Sequence, residues 1–386
     1  MDEISVSFPD VPAVGVARDK QAHGYRPELD VVRFLAFLLV FFFHLLPFPS
    51  MGESGWRVHM SLVESCAMGL CLFFTLSAYL ITNILLIERE HAAVISVRKF
   101  YIRRILRIWP LYFFGIAIGI GIAVVGHRAG DVVGFIWYLL FAGNLYCIVF
   151  GWMGNPFSPL WTVSIEEQFY LLWPCAIRWF SRRGMVLCSL LFVVVANITL
   201  FILGQRHANM GNEIWPNTFV QFEMFATGIL LALAKEHIAW RNTGIGLILV
   251  FIGPVLWFIA CFRFYVKQSA TFGMAVSGTD LVIRYALTAL GCAAILQGFC
   301  MIGPSHMPRW AIYLGKISYG LYVFHVLAIE FTRACFRGSH GLPGLAASAL
   351  VALLLTSAAA IISYAFLESS FLRLKRRFEI VHTRPV

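Results

Sequence analysis

Apolar residues run through this chain in blocks of about 18 to 25, the length a helix needs to cross a bilayer. The blocks lie at about 31–48, 62–87, 108–126, 132–150, 161–180, 185–204, 218–235, 244–262, 280–302, 311–335 and 343–368. Short basic or Gly/Pro-rich stretches separate them. The pattern predicts an all-α, polytopic membrane protein.

Eleven spans would put the two ends of the chain on opposite sides, yet both ends are basic. Arg18, Lys20 and Arg26 precede the first block, and Arg373, Lys375, Arg376 and Arg377 follow the last. By the positive-inside rule both ends belong on the cytoplasmic face. Block 132–150 is the odd one: Asp131, Asn144 and several glycines interrupt it, and it leads into GWMGNPFSP at 151–159. Residues 132–159 are therefore expected to form a re-entrant or interfacial segment, leaving ten spans with both termini cytoplasmic. The organisation expected is a flexible cytoplasmic tail at 1–25, a membrane domain at 26–372 and a basic cytoplasmic tail at 373–386. The loops at 205–217 and 263–279 fall outside and are the expected acceptor-side surfaces.

Composition supports the class. Only 13% of the residues are charged, against about a quarter in a soluble domain. The net charge of +10 sits in clusters between apolar blocks, which excludes a phosphate-tracking nucleic-acid surface. The nine cysteines show neither CxxC pairs nor metal-ligand spacing and are read as small core residues. No metal is expected.

Four stretches carry candidate chemistry. In RPELDVVRFLAFLLVFFFHLLPF (26–48), Arg33 and His44 lie eleven residues apart, about three helical turns, and so share a face. Ionisable groups inside a span are costly and mark functional sites by default. In KFYIRRILRIWPLYF (99–113), Arg104 and Arg107 stand where the chain re-enters the membrane, placed to clamp phosphates. In SPLWTVSIEEQFYLLWP (158–174), Glu166 and Glu167 open an apolar helix, with Gln168 and Tyr170 beside them. In YLGKISYGLYVFHVLAIE (313–330), Ser318, Tyr322 and His325 share a stripe. The ten-span topology puts His44, His325 and Glu166 at similar depth in the outer half, with Arg33, Arg104 and Arg107 at the inner side.

These stretches resemble the acyltransferase 3 family of membrane proteins, which move acyl groups, usually acetyl, from cytoplasmic acyl-CoA to sugars or other hydroxyl-bearing acceptors. The resemblance covers nearly the whole chain. It runs through Arg33-x10-His44, FFTLSAYLI (73–81), the RxxR of Arg104 and Arg107, LWTVSIEEQFYLLWP and LGKISYGLYVFH (314–325), and closes on SYAFLE (363–368). Ala78-Tyr79 stands where the family usually has Gly-Phe, and Ser369 follows Glu368 where Pro is expected. The esterase-like domain of some relatives is not read here, so any hand-off of the acyl group would use the membrane core or a separate protein.

The resemblance implies a bacterial cytoplasmic-membrane O-acyltransferase with acyl-CoA as donor substrate and no permanently bound cofactor. The acceptor would be a carbohydrate, glycolipid or other hydroxyl compound. In this reading His44 is the general base or a transient acyl carrier, and Glu166 or Glu167 orients it. Arg33, Arg104 and Arg107 hold the donor phosphates. Tyr322, His325 and Tyr170 contact the acceptor or the thioester. The rival class is a transporter or flippase for an anionic solute or lipid-linked sugar, since buried charges also mark transport paths. It predicts matched inverted halves, and none are visible in the sequence.

Overall fold

The computed structural model describes residues 25–47, 55–92, 95–238, 241–264, 277–336 and 341–379. Most of the expected 1–25 tail and much of the 263–279 loop lie outside them. Among the described residues every element is helical. The order is α1 (Pro27–Leu45), α2 (Trp56–Ala92), α3 (Val97–Val125), α4 (Ala129–Leu139), α5 (Gly143–Phe150), α6 (Trp161–Trp179) and α7 (Arg182–Gln205). It continues with α8 (Thr218–Ile238), α9 (Thr243–Arg263), α10 (Gly278–Ile302), α11 (Arg309–Lys316), α12 (Ser318–Cys335), α13 (Gly341–Ser363) and α14 (Ser369–Lys375).

Seven of the described helices are long and apolar enough to span a membrane, or eight when α11 and α12, bent by 77° at their junction, count as one broken span. Helices α1 and α6, 19 residues each, stand outside that set. Each carries three charged residues: Glu28, Asp30 and Arg33 in α1, and Glu166, Glu167 and Arg178 in α6. These two helices bring Arg33, His44, Glu166 and Glu167 into the bundle, while α3 brings Arg104 and Arg107 and α12 brings Tyr322 and His325.

Exposed leucine, isoleucine, valine and phenylalanine side chains form the outer surface. Leu187, Leu191, Val194 and Ile198 of α7, Leu247, Ile248 and Phe251 of α9, and Leu350 and Leu354 of α13 face outward. A water-facing helix would carry polar residues there, so this belt is lipid-facing surface. The protein is a multi-pass membrane protein. Inside, α2 is the central rod, packed against α1, α6, α8, α9 and α10, with Phe74, Cys71 and Leu72 fully buried.

Block 132–150 is not one helix. It breaks at 140–142, where Phe141 has φ 54°, into α4 and α5 of 11 and 8 residues. At 1.5 Å per residue these reach roughly 16 and 12 Å, short of a bilayer core of about 30 Å. Irregular backbone at membrane depth must be buried in protein with its polar groups satisfied. Gln168 does much of this: its amide nitrogen donates to Phe141 O (3.1 Å) and Asn144 Oδ1 (3.0 Å), and its oxygen accepts from Thr218 Oγ1 (2.6 Å). The backbone N–H of Gly143 donates to Ser164 Oγ at 3.0 Å, and Asn155 Nδ2 donates to Gly119 O at 3.0 Å. The segment is thus docked against α6 and α3 by side chains that the sequence places in the same polar stretch.

Cross-links at the helix ends show which termini lie together. Arg89 at the end of α2 donates to Ile177 O and Phe180 O at the end of α6. Arg26, ahead of α1, donates to Cys300 O near the end of α10. Arg103 near the start of α3 donates to Phe378 O after α14. At the opposite end Arg57 reaches Phe262 O, and Arg333 reaches His44 O. The first and last described residues, Tyr25 and Glu379, line one cavity at the arginine-bearing end.

Candidate active site

Three cavities follow one another through the bundle. The outer one, about 670 Å³, is lined by His44, Trp152, Asn155, Trp161, Thr162 and Tyr322 among others. The middle one, about 100 Å³, holds Glu166, Tyr170, Ser77 and Tyr319. The inner one, about 70 Å³, holds Asp30, Glu88, Arg103, Lys375 and Glu379. Neighbours share walls: Thr162 and Tyr322 line both outer and middle cavities. Arg33, Ser77, Arg104 and Arg107 line both middle and inner cavities.

The outer junction is a hydrogen-bonded cluster. Tyr322 OH and Thr162 Oγ1 lie 2.9 Å apart, and both hydroxyls also reach Pro159 O, at 3.0 and 3.1 Å. Pro159 sits in the 3-10 turn Ser158–Leu160 that starts α6. Its carbonyl, left outside the regular helical ladder, accepts both side chains.

One turn beyond Tyr322 on α12 is His325, 1% exposed. Its Nε2 lies 3.3 Å from Nδ1 of His44, with ring centroids 4.9 Å apart. The carbonyl partners assign the tautomers, because a carbonyl can only accept. His325 Nδ1–H donates to Tyr322 O at 2.5 Å, so its Nε2 is an acceptor. His44 Nδ1–H donates to Val40 O at 2.9 Å and is shared with His325 Nε2. His44 Nε2 then keeps a lone pair. Arg333 fixes the backbone here, donating to the last carbonyls of α1 at His44 (2.6 Å) and Leu45 (3.1 Å), a common use of a cation at a helix C-terminus.

The structure brings His44 and His325 together, but it separates them from the glutamates. Neither Glu166 nor Glu167 is bonded to His44. Glu166 Oε1 accepts from Ser77 Oγ at 2.8 Å, and Ser77 Oγ also lies 2.8 Å from Tyr170 OH. Arg33 and Arg104 act on Glu166 electrostatically. The expected common depth of His44, His325 and Glu166 is therefore corrected. Glu166 lies four residues inward from Thr162 and His325 three residues outward from Tyr322, roughly 10 Å in all along the axis. A carboxylate in a low-dielectric interior settles beside cations and hydroxyl donors, and the arginines supply them in the middle cavity. Glu167 takes a different partner: the Trp109 indole N–H is the hydrogen-bonding group that faces its carboxylate.

Arg33, Arg104 and Arg107 line the same middle and inner cavities. Arg33 Nη1 donates to Asp30 Oδ1 at 3.0 Å, and Tyr25 OH donates to the other oxygen at 2.9 Å. Arg103 pairs with Glu88 at 2.5 Å. Arg104 lies over the rings of Phe100 (5.3 Å) and Tyr170 (5.5 Å). Neither Arg104 nor Arg107 has a carboxylate within ion-pair distance among the described residues. Both guanidiniums face a shared cavity, with their nearest carboxylates, Glu166 and Glu368, acting from beyond ion-pair distance, an arrangement suited to anionic groups.

Close backbone packing positions these groups. Gly315 of α11 lies against Asp30 of α1, where a Cβ would stand 1.9 Å from Asp30 O. Only glycine lets α11 approach α1 this closely, and the bend that follows aims α12 at His44. Glu368 ends a π-helical turn, Tyr364–Glu368, and accepts from Ser363 at 3.2 Å; Arg107 is the cation acting on it. The side chains that sequence reasoning did not single out are Ser77, Thr162, and the buried Glu64–Arg284 pair (2.8 Å) on the outer cavity wall. Ser77 lies inside FFTLSAYLI, a segment that carries the family resemblance without singling out a site residue.

Fold and site together define an integral-membrane protein with a buried histidine pair on one side of the bundle and a cluster of arginines on the other. The sequence profile of the acyltransferase 3 family, described as an acyltransferase domain, matches residues 26–368, and the chain belongs to this family. The peptidoglycan O-acetyltransferase OatA of Listeria monocytogenes is 32% identical over 169 residues, which cover 41% of this chain and 25% of that protein. Nodulation protein 10 of Rhizobium leguminosarum bv. viciae is 24% identical over 343 residues, 81% of this chain and 85% of the relative. A Staphylococcus aureus protein named as an O-acetyltransferase is 23% identical over 331 residues, 81% and 52% respectively. The chain thus spans a quarter of the Listeria relative and about half of the Staphylococcus one. No solved structure matches. Family and relatives favour the acyltransferase class over the transporter class weighed from the sequence: the chain carries an acyltransferase domain over residues 26–368.

Proposed function

We propose that this enzyme moves an acyl group, acetyl by analogy with its relatives, from cytoplasmic acyl-CoA to a hydroxyl of a carbohydrate-type acceptor. The observation that carries the reading is the chain of cavities with shared walls. It links Arg104 and Arg107, which have no carboxylate within ion-pair distance among the described residues, to the histidine pair. Arg33 and His44 sit eleven residues apart on one helix, about 16 Å along its axis. The phosphates of acyl-CoA bind Arg33, Arg104 and Arg107. The extended pantetheine arm runs through the middle cavity past Tyr170 and Ser77 and presents its thioester at the Tyr322–Thr162 junction.

The acceptor enters the outer cavity, where Trp152 and Trp161, 5.7 Å apart, offer flat apolar faces to a sugar ring. A hydroxyl is a weak nucleophile until a base takes its proton. His44 Nε2 is that base, and His325 holds it in the required tautomer, the part an aspartate plays in a triad. The oxygen attacks the thioester carbonyl, the C–S bond breaks, and His44 returns the proton to the CoA sulfur. Tyr322 OH, released from Pro159 O while Thr162 keeps its bond there, donates to the developing oxyanion. Glu166 keeps the middle cavity electrically balanced between Arg33 and Arg104. The arginine-bearing end is the cytoplasmic face, because it also carries Arg89, Arg98, Lys99 and Arg182. With α1, α6 and the bent α11–α12 pair counted, the bundle crosses the bacterial cytoplasmic membrane ten times.

The test uses membranes from cells expressing wild type or His44→Ala, given acetyl-labelled acetyl-CoA, with label followed into glycan, lipid and small-molecule fractions. Label entering the glycan or glycolipid fraction with wild type alone supports the reading. Label in neither, with acceptor added, contradicts it.

A further inference from the structure

The basic stretch after the last span was read from sequence as a positive-inside anchor. That reading fits Arg373, Arg376 and Arg377, which are exposed, but not Lys375, whose side chain is 14% exposed. The rod Pro343–Phe378 runs 36 residues, about 54 Å at 1.5 Å per residue, well beyond the roughly 30 Å of a hydrocarbon core. Its surplus lies at the arginine-bearing end, where α14 packs along α3 and Arg103 Nη1 donates to Phe378 O at 3.0 Å. Arg103 is itself held by Glu88 at 2.5 Å. This strap turns Lys375 into the inner cavity, whose wall also carries Arg33, Arg104 and Arg107. There Lys375 Nζ pairs with Glu379 Oε1 at 2.9 Å, one turn along the chain.

An ammonium turned away from water into a cavity already rich in guanidiniums raises like-charge repulsion. An anchor gains nothing from it. A site for a polyanion does, because each added cation meets one more phosphate oxygen. We propose that Lys375 is a further donor-binding residue: the C-terminal strap delivers it to the phosphates of acyl-CoA beside Arg104 and Arg107, and Glu379 holds it in their absence. The proposal rests on the inner cavity being the donor-phosphate site. Phosphate arrival exchanges the Lys375–Glu379 pair for a Lys375–phosphate contact, and no covalent bond changes.

Binding of coenzyme A to the purified full-length protein in nanodiscs, followed by isothermal titration calorimetry, tests it. Lys375→Met binds about tenfold more weakly than wild type, the loss of one charge-assisted contact, and Lys375→Arg stays within about threefold of wild type. Glu379→Gln, which releases Lys375, binds coenzyme A more tightly. A pair that only braces the fold would be broken by either change, so Lys375→Met and Glu379→Gln would shift binding in the same direction, and that result overturns the proposal. Wild-type affinity in Lys375→Met overturns it as well while leaving the donor site standing. A wild-type protein that does not bind coenzyme A removes the donor-site reading itself, and this proposal with it.

Discussion

His325 Nε2 lies 3.3 Å from His44 Nδ1, and each ring donates its Nδ1–H to a backbone carbonyl one turn back. In the proposed mechanism the pair is a relay of orientation, a neutral imidazole taking the place a carboxylate holds in a triad. A neutral partner adds no charge beside the buried His325, where an unpaired charge is costly. It also leaves the basicity of His44 to be set by the cavity instead of by an adjacent anion.

His325 should therefore act through His44. His325→Phe keeps the ring volume but removes the acceptor, freeing the His44 ring to turn. We expect kcat to fall about 10- to 100-fold, the usual cost of losing the partner that orients a histidine, with the KM for acetyl-CoA unchanged. Steady-state kinetics in proteoliposomes checks this. A rise in KM at constant kcat would place His325 on the donor instead.

Arg104 is stacked as well as charged, lying over Phe100 and Tyr170. Arg104→Lys keeps the charge but loses the planar fork and most of the stacking. Its KM for acetyl-CoA should rise about tenfold, roughly 1.4 kcal/mol of binding, with kcat little altered. Titration of acetyl-CoA in the transfer assay reads the effect directly.

Gln168 makes three hydrogen bonds that tie the α4–α5 break to α6 and α8. Gln168→Leu leaves the Phe141 carbonyl and the Thr218 hydroxyl without these partners, and each unsatisfied buried group costs about 1–3 kcal/mol. The variant should show a clearly lower unfolding temperature in detergent, and Glu166→Gln a smaller drop. An unchanged melting curve for Gln168→Leu would mean that α4 and α5 are not held by this network.

Much of this was legible in the chain because lipid is a strict solvent. Charged residues in α1 and α6 stand out against apolar neighbours, which is why Arg33, His44, Glu166 and the RxxR could be picked out. The break in block 132–150 followed from its Gly, Asn and Asp residues. What sequence could not show was which polar groups meet. Glu166 was placed at the depth of the histidines by counting from the helix start. Its true level is set by the Tyr322–Thr162 contact between α12 and α6, a tertiary fact. Ser77 and Thr162 are too small and common to signal a site, and Lys375 sits in sequence among arginines that are exposed.

The central claim is that acetyl-CoA approaches from the arginine-bearing end and that His44 completes transfer on the other side. The direct measurement uses protein reconstituted in one orientation into sealed proteoliposomes, with labelled acetyl-CoA on one side and a glycan acceptor on the other. The account predicts labelled acceptor only when acetyl-CoA is at the arginine-bearing end, and a fall of about 10²- to 10⁴-fold in His44→Ala, the usual contribution of a general base. Transfer at the wild-type rate by His44→Ala, or equal transfer with acetyl-CoA on either side, would contradict it.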